Sequence, residues 1–269
     1  MSYSKRLGAY CSAKQREINQ RGLLSFPVDS ALDKNRQVLL AEEISALPGL
    51  ELYEGPTTGL VLPVDSSFPA NMLYYFLVGD YEEHDMQLIR RYIKPGNRVL
   101  ELGGGVGLTG SLLGRASGNV VNVCEPNSAL LPWIERTFAA NGERLNLINA
   151  AVVADDEVGD YVTLHVGKDY WWSSLYRGPG AAPEQVRARR LGELIAETSA
   201  DTLCVDIEGY EIALFAQTSS LAAINTLLIE VHTPSIGTAA SAKVISNVMR
   251  SGFSLVDFGG HTFVFMRTS

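Results

Sequence analysis

Hydrophobic and polar positions change texture near residues 80–98. Before that point the pattern is irregular. Val38, Leu39, Leu40, Ile44 and Leu47 share one face of a helix expected from Asp33 to Leu47 and stopped by Pro48-Gly49. Leu50 to Pro63 reads as short β-like runs interrupted by Gly55-Pro56. After the change the pattern is regular. A helix from about Glu82 to Ile93 ends at Pro95-Gly96, and short apolar runs then alternate with helix-length segments. The runs expected as strands are Arg98 to Leu102, Val120 to Cys124, Leu145 to Ala150, Thr202 to Asp206 and Thr226 to Val231. Such alternation implies right-handed crossovers and a mostly parallel, Rossmann-like α/β sheet covered on both faces. Phe253 to Asp257 and Thr262 to Met266 flank Phe258-Gly259-Gly260-His261, a C-terminal hairpin signal that would put an antiparallel strand at the end of that sheet. The division expected is an extension over residues 1–78, acting as a substrate cap or dimer contact, and a catalytic domain over 79–269.

Composition narrows the function classes. With 46% hydrophobic and 19% charged residues in 269, the chain can bury a sizeable core. Twenty-two Lys and Arg against 30 Asp and Glu give a formal charge of −8, which repels a phosphate backbone and argues against nucleic acid as substrate. Cys11, Cys124 and Cys204 lack metal-ligand spacing and read as small core residues in a reducing cytoplasm. The charged N-terminus has no signal-peptide core, and the longest uncharged stretch, Ser66 to Gly79, is too short to span a bilayer. The expectation is a cytoplasmic protein with no membrane segment, able to form a homo-oligomer.

The strongest local signal is Val99-Leu100-Glu101-Leu102-Gly103-Gly104-Gly105-Val106-Gly107, an apolar strand entering a glycine loop and then a helix. Ligands bind at the carboxyl ends of such strands, where glycine lets the backbone approach and the helix offers free N–H groups. Glu125 ends the next strand and can accept from ribose hydroxyls. These features alone fit a dinucleotide too, since Gly105, Gly107 and Gly110 satisfy G-x-G-x-x-G with Glu125 suitably downstream. Glu101 discriminates. A carboxylate ending the first strand suits the amino group of S-adenosylmethionine and would sit badly beside a pyrophosphate.

On the acceptor side, Leu203-Cys204-Val205-Asp206 leads into Ile207-Glu208-Gly209-Tyr210-Glu211, and Leu227 to His232 forms the following strand. Side by side, these strands bring Asp206 and Glu208 against Glu230 and His232, a set suited to orienting a hydroxyl and taking its proton during in-line methyl transfer. The same set is able to hold a divalent metal, a reading ranked below the first. Glu211 can equally be a helix-capping group. Tyr170-Trp171-Trp172-Ser173-Ser174 either stacks on adenine, walls the acceptor pocket or closes the core edge. His165 sits in an alternating, strand-like run, Tyr161 to Val166, and reads as structural, and His84 and His261 carry no partner pattern.

In combination these features resemble the FkbM family of S-adenosylmethionine-dependent methyltransferases from about Gly79 to His232. The matching motifs are Gly79-Asp80-Tyr81-Glu82, Lys94-Pro95-Gly96, Glu101-Leu102-Gly103, Glu125-Pro126-Asn127, Asn141-Gly142, Ala150-Ala151, Asp206-Ile207-Glu208-Gly209-Tyr210-Glu211 and Ile229-Glu230-Val231-His232. The resemblance implies a class I methyltransferase sheet and O-methylation of a sugar or small natural-product hydroxyl. It implies Glu82, Glu101, Gly103, Gly105, Gly107, Glu125, Asn127, Ala151 and Asp206 at the cofactor, and Asp206, Glu208, Glu230 and His232 at the acceptor. Members usually carry aspartate, alanine and asparagine where Glu101, Gly104 and Gly105 stand, and lysine is common in place of Cys204. The competing readings are an NAD(P)-dependent oxidoreductase and a non-catalytic scaffold that keeps the cofactor fold.

Overall fold

The computed structural model describes residues 1–20, 30–167, 173–176 and 181–268. Contacts divide the chain into two units, Met1–Met86 and Gln87–Ser269. The N-terminal unit contains α1 (Tyr3–Gln20), α2 (Ser30–Ser45), the antiparallel hairpin of β1 (Glu51–Glu54) and β2 (Val61–Val64), and α3 (Ala70–Val78). The α2 helix and the β-like runs of the hairpin were legible in the sequence, whereas α1 and α3 were not; of the apolar face expected on α2, Leu40 and Ile44 are buried but Val38 and Leu39 are exposed. In α3 the sequence Ala-Asn-Met-Leu-Tyr-Tyr-Phe-Leu-Val is apolar nearly all round, and six of its residues are buried. Gly79 ends it in the left-handed conformation, φ 84°, where a side chain would be strained.

The division falls within α4 (Glu83–Tyr92). The C-terminal unit continues with β3 (Val99–Leu102), α5 (Leu108–Ser117), β4 (Val121–Cys124), α6 (Leu131–Asn141), β5 (Leu145–Ile148), β6 (Ala151–Val153), β7 (Tyr161–Val166), β8 (Ser173–Ser174), β9 (Ala182–Arg190), α7 (Leu191–Thr198) and β10 (Thr202–Val205). After these come α8 (Glu211–Leu214), β11 (Thr226–Glu230), α9 (Thr233–Ile236), α10 (Thr238–Arg250), β12 (Phe253–Gly259) and β13 (Thr262–Arg267).

Seven strands form the main sheet in the order β12-β13-β11-β10-β3-β4-β5. Strands β3 and β10 are buried at every position, as expected for interior parallel strands covered on both faces. The C-terminal hairpin forms one end of the sheet, as its sequence signal suggested, and the strand that runs against the others is its inner one. It is β13, inserted between β11 and the edge strand β12. A bulge between Leu255 and Asp257 interrupts pairing on that edge, a feature that discourages further strand addition.

The expected strand Leu145 to Ala150 ends early, at Ile148. Asn149 donates its side-chain amide to the carbonyls of Glu125 and Pro126, turning the chain into β6 and a second sheet ordered β6-β9-β7-β8. That sheet was not legible beyond β7. In β9, Glu184, Arg187, Arg189 and Arg190 dilute the apolar alternation because most of the strand is exposed. The core gathers Leu100, Leu102, Leu203, Val205, Leu227, Ile229 and Phe265 of the main sheet with Leu194, Leu214, Phe215 and Val248 from its covering helices. Among the described residues no helix is long and apolar enough to cross a membrane.

From β3 the chain builds outward through β4 to β5, then returns to place β10 on the other flank of β3. Strand order therefore reverses between β3 and β10, and open α/β sheets bind ligands in the crevice at such a reversal.

Candidate functional site at the strand-order reversal

Gly103 leaves β3 at φ 88°, and a Cβ there would run into the backbone carbonyl of Asp206, the first residue beyond β10. The two strand ends thus meet backbone to backbone, which only glycine permits. Gly105 and Gly107 also have positive φ, 52° and 84°, and Gly107 precedes α5 without a side-chain cap. A Cβ on Gly104 would lie 2.6 Å from Val123 Cγ1, so the loop is pressed against β4.

Two carboxylates lie beneath and beside this loop. Glu101 is 3% exposed, and its Oε2 has no hydrogen-bond partner. It fits between β3 and α5 because Gly110 has no side chain there. Burial raises its pKa to about 8, the Glu125 charge adds to that rise, and a hydrogen bond from Thr109 opposes it. Glu125 accepts from the backbone N–H of Gly104 at 2.9 Å and of Asn127 at 2.8 Å, and also from Gly105. Burial nevertheless lifts its pKa to about 7. Three of the roughly four lone-pair sites on this carboxylate are therefore engaged by the chain itself. Asn127 in turn accepts from Ala129 N–H through Oδ1 and donates to Ser173 Oγ at 3.3 Å. Ala151 is buried on β6 and lines a small, largely apolar cleft with Gly103, Pro126, Ile207 and Tyr210. Glu82 belongs to the N-terminal unit, where it precedes α4 with φ 45°.

Across the crevice, β10 and β11 pair in parallel with Val205 beside Ile229, so Asp206 comes level with Glu230. His232 Nε2 lies 3.4 Å from both Asp206 Oδ1 and Glu208 Oε2. Its Nδ1 lies 2.8 Å from Oε1 of Glu211, which is fully buried and also accepts from Gly209 N–H at 3.1 Å. Burial works against a charged imidazole, but the Glu211 hydrogen bond and the charges of Glu211, Glu208 and Glu230 outweigh it and raise the His232 pKa to about 9. Burial raises the Glu208 pKa, with His232 opposing. Asp206 is more open than Glu208, His232 or Glu211, with 42% of its side chain exposed.

The structure thus brings Asp206, Glu208 and His232 together, while Glu230 acts on His232 by its charge. Glu211, weighed from sequence as a capping group, is the residue that holds the imidazole. Its place in the D-x-E-G-x-E stretch was the available signal. In the sequence, Ser173 and Ser174 stand out only as the end of an aromatic segment. Ser174 Oγ donates to the Glu208 carbonyl at 2.7 Å, so adjacent residues of β8 tie Asn127 on one side of the crevice to Glu208 on the other. Tyr170, Trp171 and Trp172 lie outside the described residues.

No family model matches the chain, and no curated protein matches it in sequence. Solved structures do match. A protein from Streptococcus mutans assigned as an S-adenosylmethionine-dependent methyltransferase aligns with TM-score 0.50 and 10% identity over 81% of this chain. The alignment spans 56% of that protein's length. The likeness is one of fold. Weaker matches include Aeropyrum pernix fibrillarin with bound S-adenosylmethionine (TM-score 0.40, 12% identity, 68% of this chain and 73% of that one). Another is the Pyrococcus abyssi tRNA (uracil-54, C5)-methyltransferase with bound S-adenosylhomocysteine (TM-score 0.44, 14% identity, 81% of this chain and 44% of that one). The Rossmann-like α/β architecture with its antiparallel C-terminal hairpin is thereby established for this chain.

Proposed function

We propose that this chain is an S-adenosylmethionine-dependent methyltransferase that methylates a hydroxyl on a sugar or small natural product. The observation that carries the reading is the pair of buried carboxylates, Glu101 and Glu125, at adjacent strand ends around a glycine loop. A dinucleotide could place a ribose at Glu125 as well, but it would bring its pyrophosphate against Glu101. S-adenosylmethionine would bring an ammonium toward the orphan oxygen of Glu101, a sulfonium to the crevice and a ribose to Glu125. The apolar cleft beside Ala151 suits a purine ring. Gly103, Gly105, Gly107 and Asn127 complete the cofactor set, and Glu82 is carried by the family resemblance alone.

In the transfer the acceptor oxygen attacks the sulfonium methyl, the C–S bond breaks with its electron pair left on sulfur, and the hydroxyl proton leaves. Asp206, open to the crevice and next to Gly103, is the group proposed to orient that hydroxyl and receive the proton. Glu208, His232 and Glu230 shape the acceptor end. Its crowd of carboxylates is hostile to a phosphate backbone, which favours a neutral hydroxyl compound over nucleic acid. Resemblance to the FkbM family supports oxygen as the methylated atom, and three free, buried cysteines accord with a cytoplasmic setting. The test is thermal melting with S-adenosylhomocysteine, followed by methyl transfer to a panel of sugars and natural-product alcohols. A stabilising shift with S-adenosylhomocysteine and none with NAD(H) or NADP(H) supports the cofactor; the opposite pattern would establish the oxidoreductase.

A further inference from the structure

We propose that the carboxylates of Asp206 and Glu208 and the Nε2 of His232 form a divalent-cation site at the acceptor end of the crevice, with Glu211 fixing the imidazole as a ligand. One ligand atom from each of the three residues lies within 4.8 Å of the others. The two Nε2-to-oxygen separations are both 3.4 Å. A charge-assisted N–H···O bond is shorter, about 2.7–2.9 Å. Two ligands held by one ion at about 2.0–2.2 Å stand about 2.8–3.1 Å apart at octahedral angles and about 3.3–3.6 Å at tetrahedral ones, so the observed spacing lies within the range open to ligands of one ion.

Glu211 supplies an independent observation. It is fully buried and directed at the cluster, one oxygen fixing His232 Nδ1 and the other, Oε2, without a hydrogen-bond partner. A metal-bound histidine is held from behind in this way, its remote nitrogen donating to a carboxylate while the other faces the ion. Among the described residues His232 is the only cationic partner recorded for either Glu208 or Glu211, so two carboxylates share one imidazole in a largely enclosed space. That excess of negative charge calls for a further cation. Two carboxylates and one imidazole suit a transition-metal ion such as Mn²⁺ better than Mg²⁺, which takes oxygen ligands. The site's part in methyl transfer, binding the acceptor hydroxyl and easing loss of its proton, rests on the function proposed above; the site itself does not.

The test is titration of the EDTA-treated, full-length chain with Mn²⁺ alone, followed by electron paramagnetic resonance. One saturable Mn²⁺ per chain is expected, with nitrogen coupling from an imidazole. Glu208→Gln and His232→Gln should abolish saturable binding, Glu211→Gln should weaken it about 10–100-fold, and Glu193→Gln on the outer helix α7 should leave it unchanged. Nitrogen coupling in the parent protein keeps the test decisive even if a variant does not fold. Absence of saturable binding by the folded parent, or binding that survives both Glu208→Gln and His232→Gln, overturns the site. S-adenosylhomocysteine melting on the same sample separates the two proposals: a shift without Mn²⁺ binding sinks only the metal site, and Mn²⁺ binding without a shift sinks only the cofactor assignment.

Discussion

Gly103 and Asp206 meet at the strand-order reversal so closely that a methyl group on Gly103 would lie 1.8 Å from the Asp206 carbonyl oxygen. Gly103 also stands at φ 88°, where side chains are strained. Both effects act on Gly103→Ala, and relief would require separating β3 from β10 at their carboxyl ends. We expect a stability loss of about 3 kcal/mol or more, together with loss of S-adenosylhomocysteine binding. Urea unfolding measures it, and a variant within about 1 kcal/mol of the parent would mean the contact is readily relieved.

Glu125→Ala removes the acceptor for the N–H groups of Gly104, Gly105 and Asn127 as well as the proposed ribose contact. Each charge-assisted hydrogen bond is worth about 1.5–3 kcal/mol, so the variant should lose most of the S-adenosylhomocysteine melting shift. Calorimetry gives the dissociation constant directly. An unchanged constant would show that Glu125 serves only to brace the loop.

Much of this arrangement was readable because its causes are local. The run Val99 to Gly107 joins an apolar strand to a glycine turn, and Asp206 and His232 end strands whose unbroken hydrophobicity marks them as interior. Their adjacency followed from parallel topology. The second sheet was hidden because β9 is charged and mostly exposed, and β8 is only two residues long. Pairing with β7 makes both of them strands, and that is a long-range fact. Likewise, nothing in the sequence of Glu125 shows that loop N–H groups already engage its carboxylate.

The buried carboxylates make both folding and binding sensitive to pH. Glu101 and Glu125 have folded-state pKa values of about 8 and about 7, above the 4.5 of the free side chain. Between pH 4.5 and 8 the folded chain holds more protons at these groups than the unfolded chain. Their contribution to stability is therefore greatest below pH 4.5 and declines as pH rises through that window. An ammonium group favours ionised Glu101, so cofactor affinity should rise from pH 6 to 8 with proton release on binding. Calorimetry in buffers of different ionisation enthalpy reads that release. It should shrink in Glu101→Gln, and equal release in parent and variant would remove Glu101 from the account.

Ser174→Ala should damage the acceptor end more than the fold. Its hydroxyl holds the carbonyl of Glu208, a residue at the left-handed φ of 53°. The hydroxyl also accepts from the Tyr176 N–H at 3.1 Å, and loss of each bond costs about 0.5–1.5 kcal/mol, a modest change in melting temperature. Release of the Glu208 turn should lower turnover several-fold with little change in S-adenosylhomocysteine affinity, and Ser174→Thr should restore it. Equal loss of affinity and turnover would show that β8 supports the whole crevice.

Asp206→Asn is the substitution that separates binding from chemistry. The backbone of Asp206, which packs on Gly103, is untouched, and asparagine keeps the side-chain shape while removing its charge and basicity. The glycine loop and Glu125 lie on the other side of the reversal and should stay in place, so S-adenosylhomocysteine affinity should change far less than turnover. Loss of a general base lowers rate by about 10²–10⁴. Asp206 is also a proposed cation ligand, so turnover is to be measured with and without added Mn²⁺. Recovery at high Mn²⁺ would mean that the side chain acts mainly by holding the ion, and persistent loss that it acts on the acceptor itself. The required measurement is methyl transfer to the identified alcohol beside calorimetric binding of S-adenosylhomocysteine. Turnover at the parent rate would make the cluster structural. Joint loss of cofactor binding and fold would instead make Asp206 an anchor of the β3–β10 contact and pass the acceptor role to Glu208 and His232.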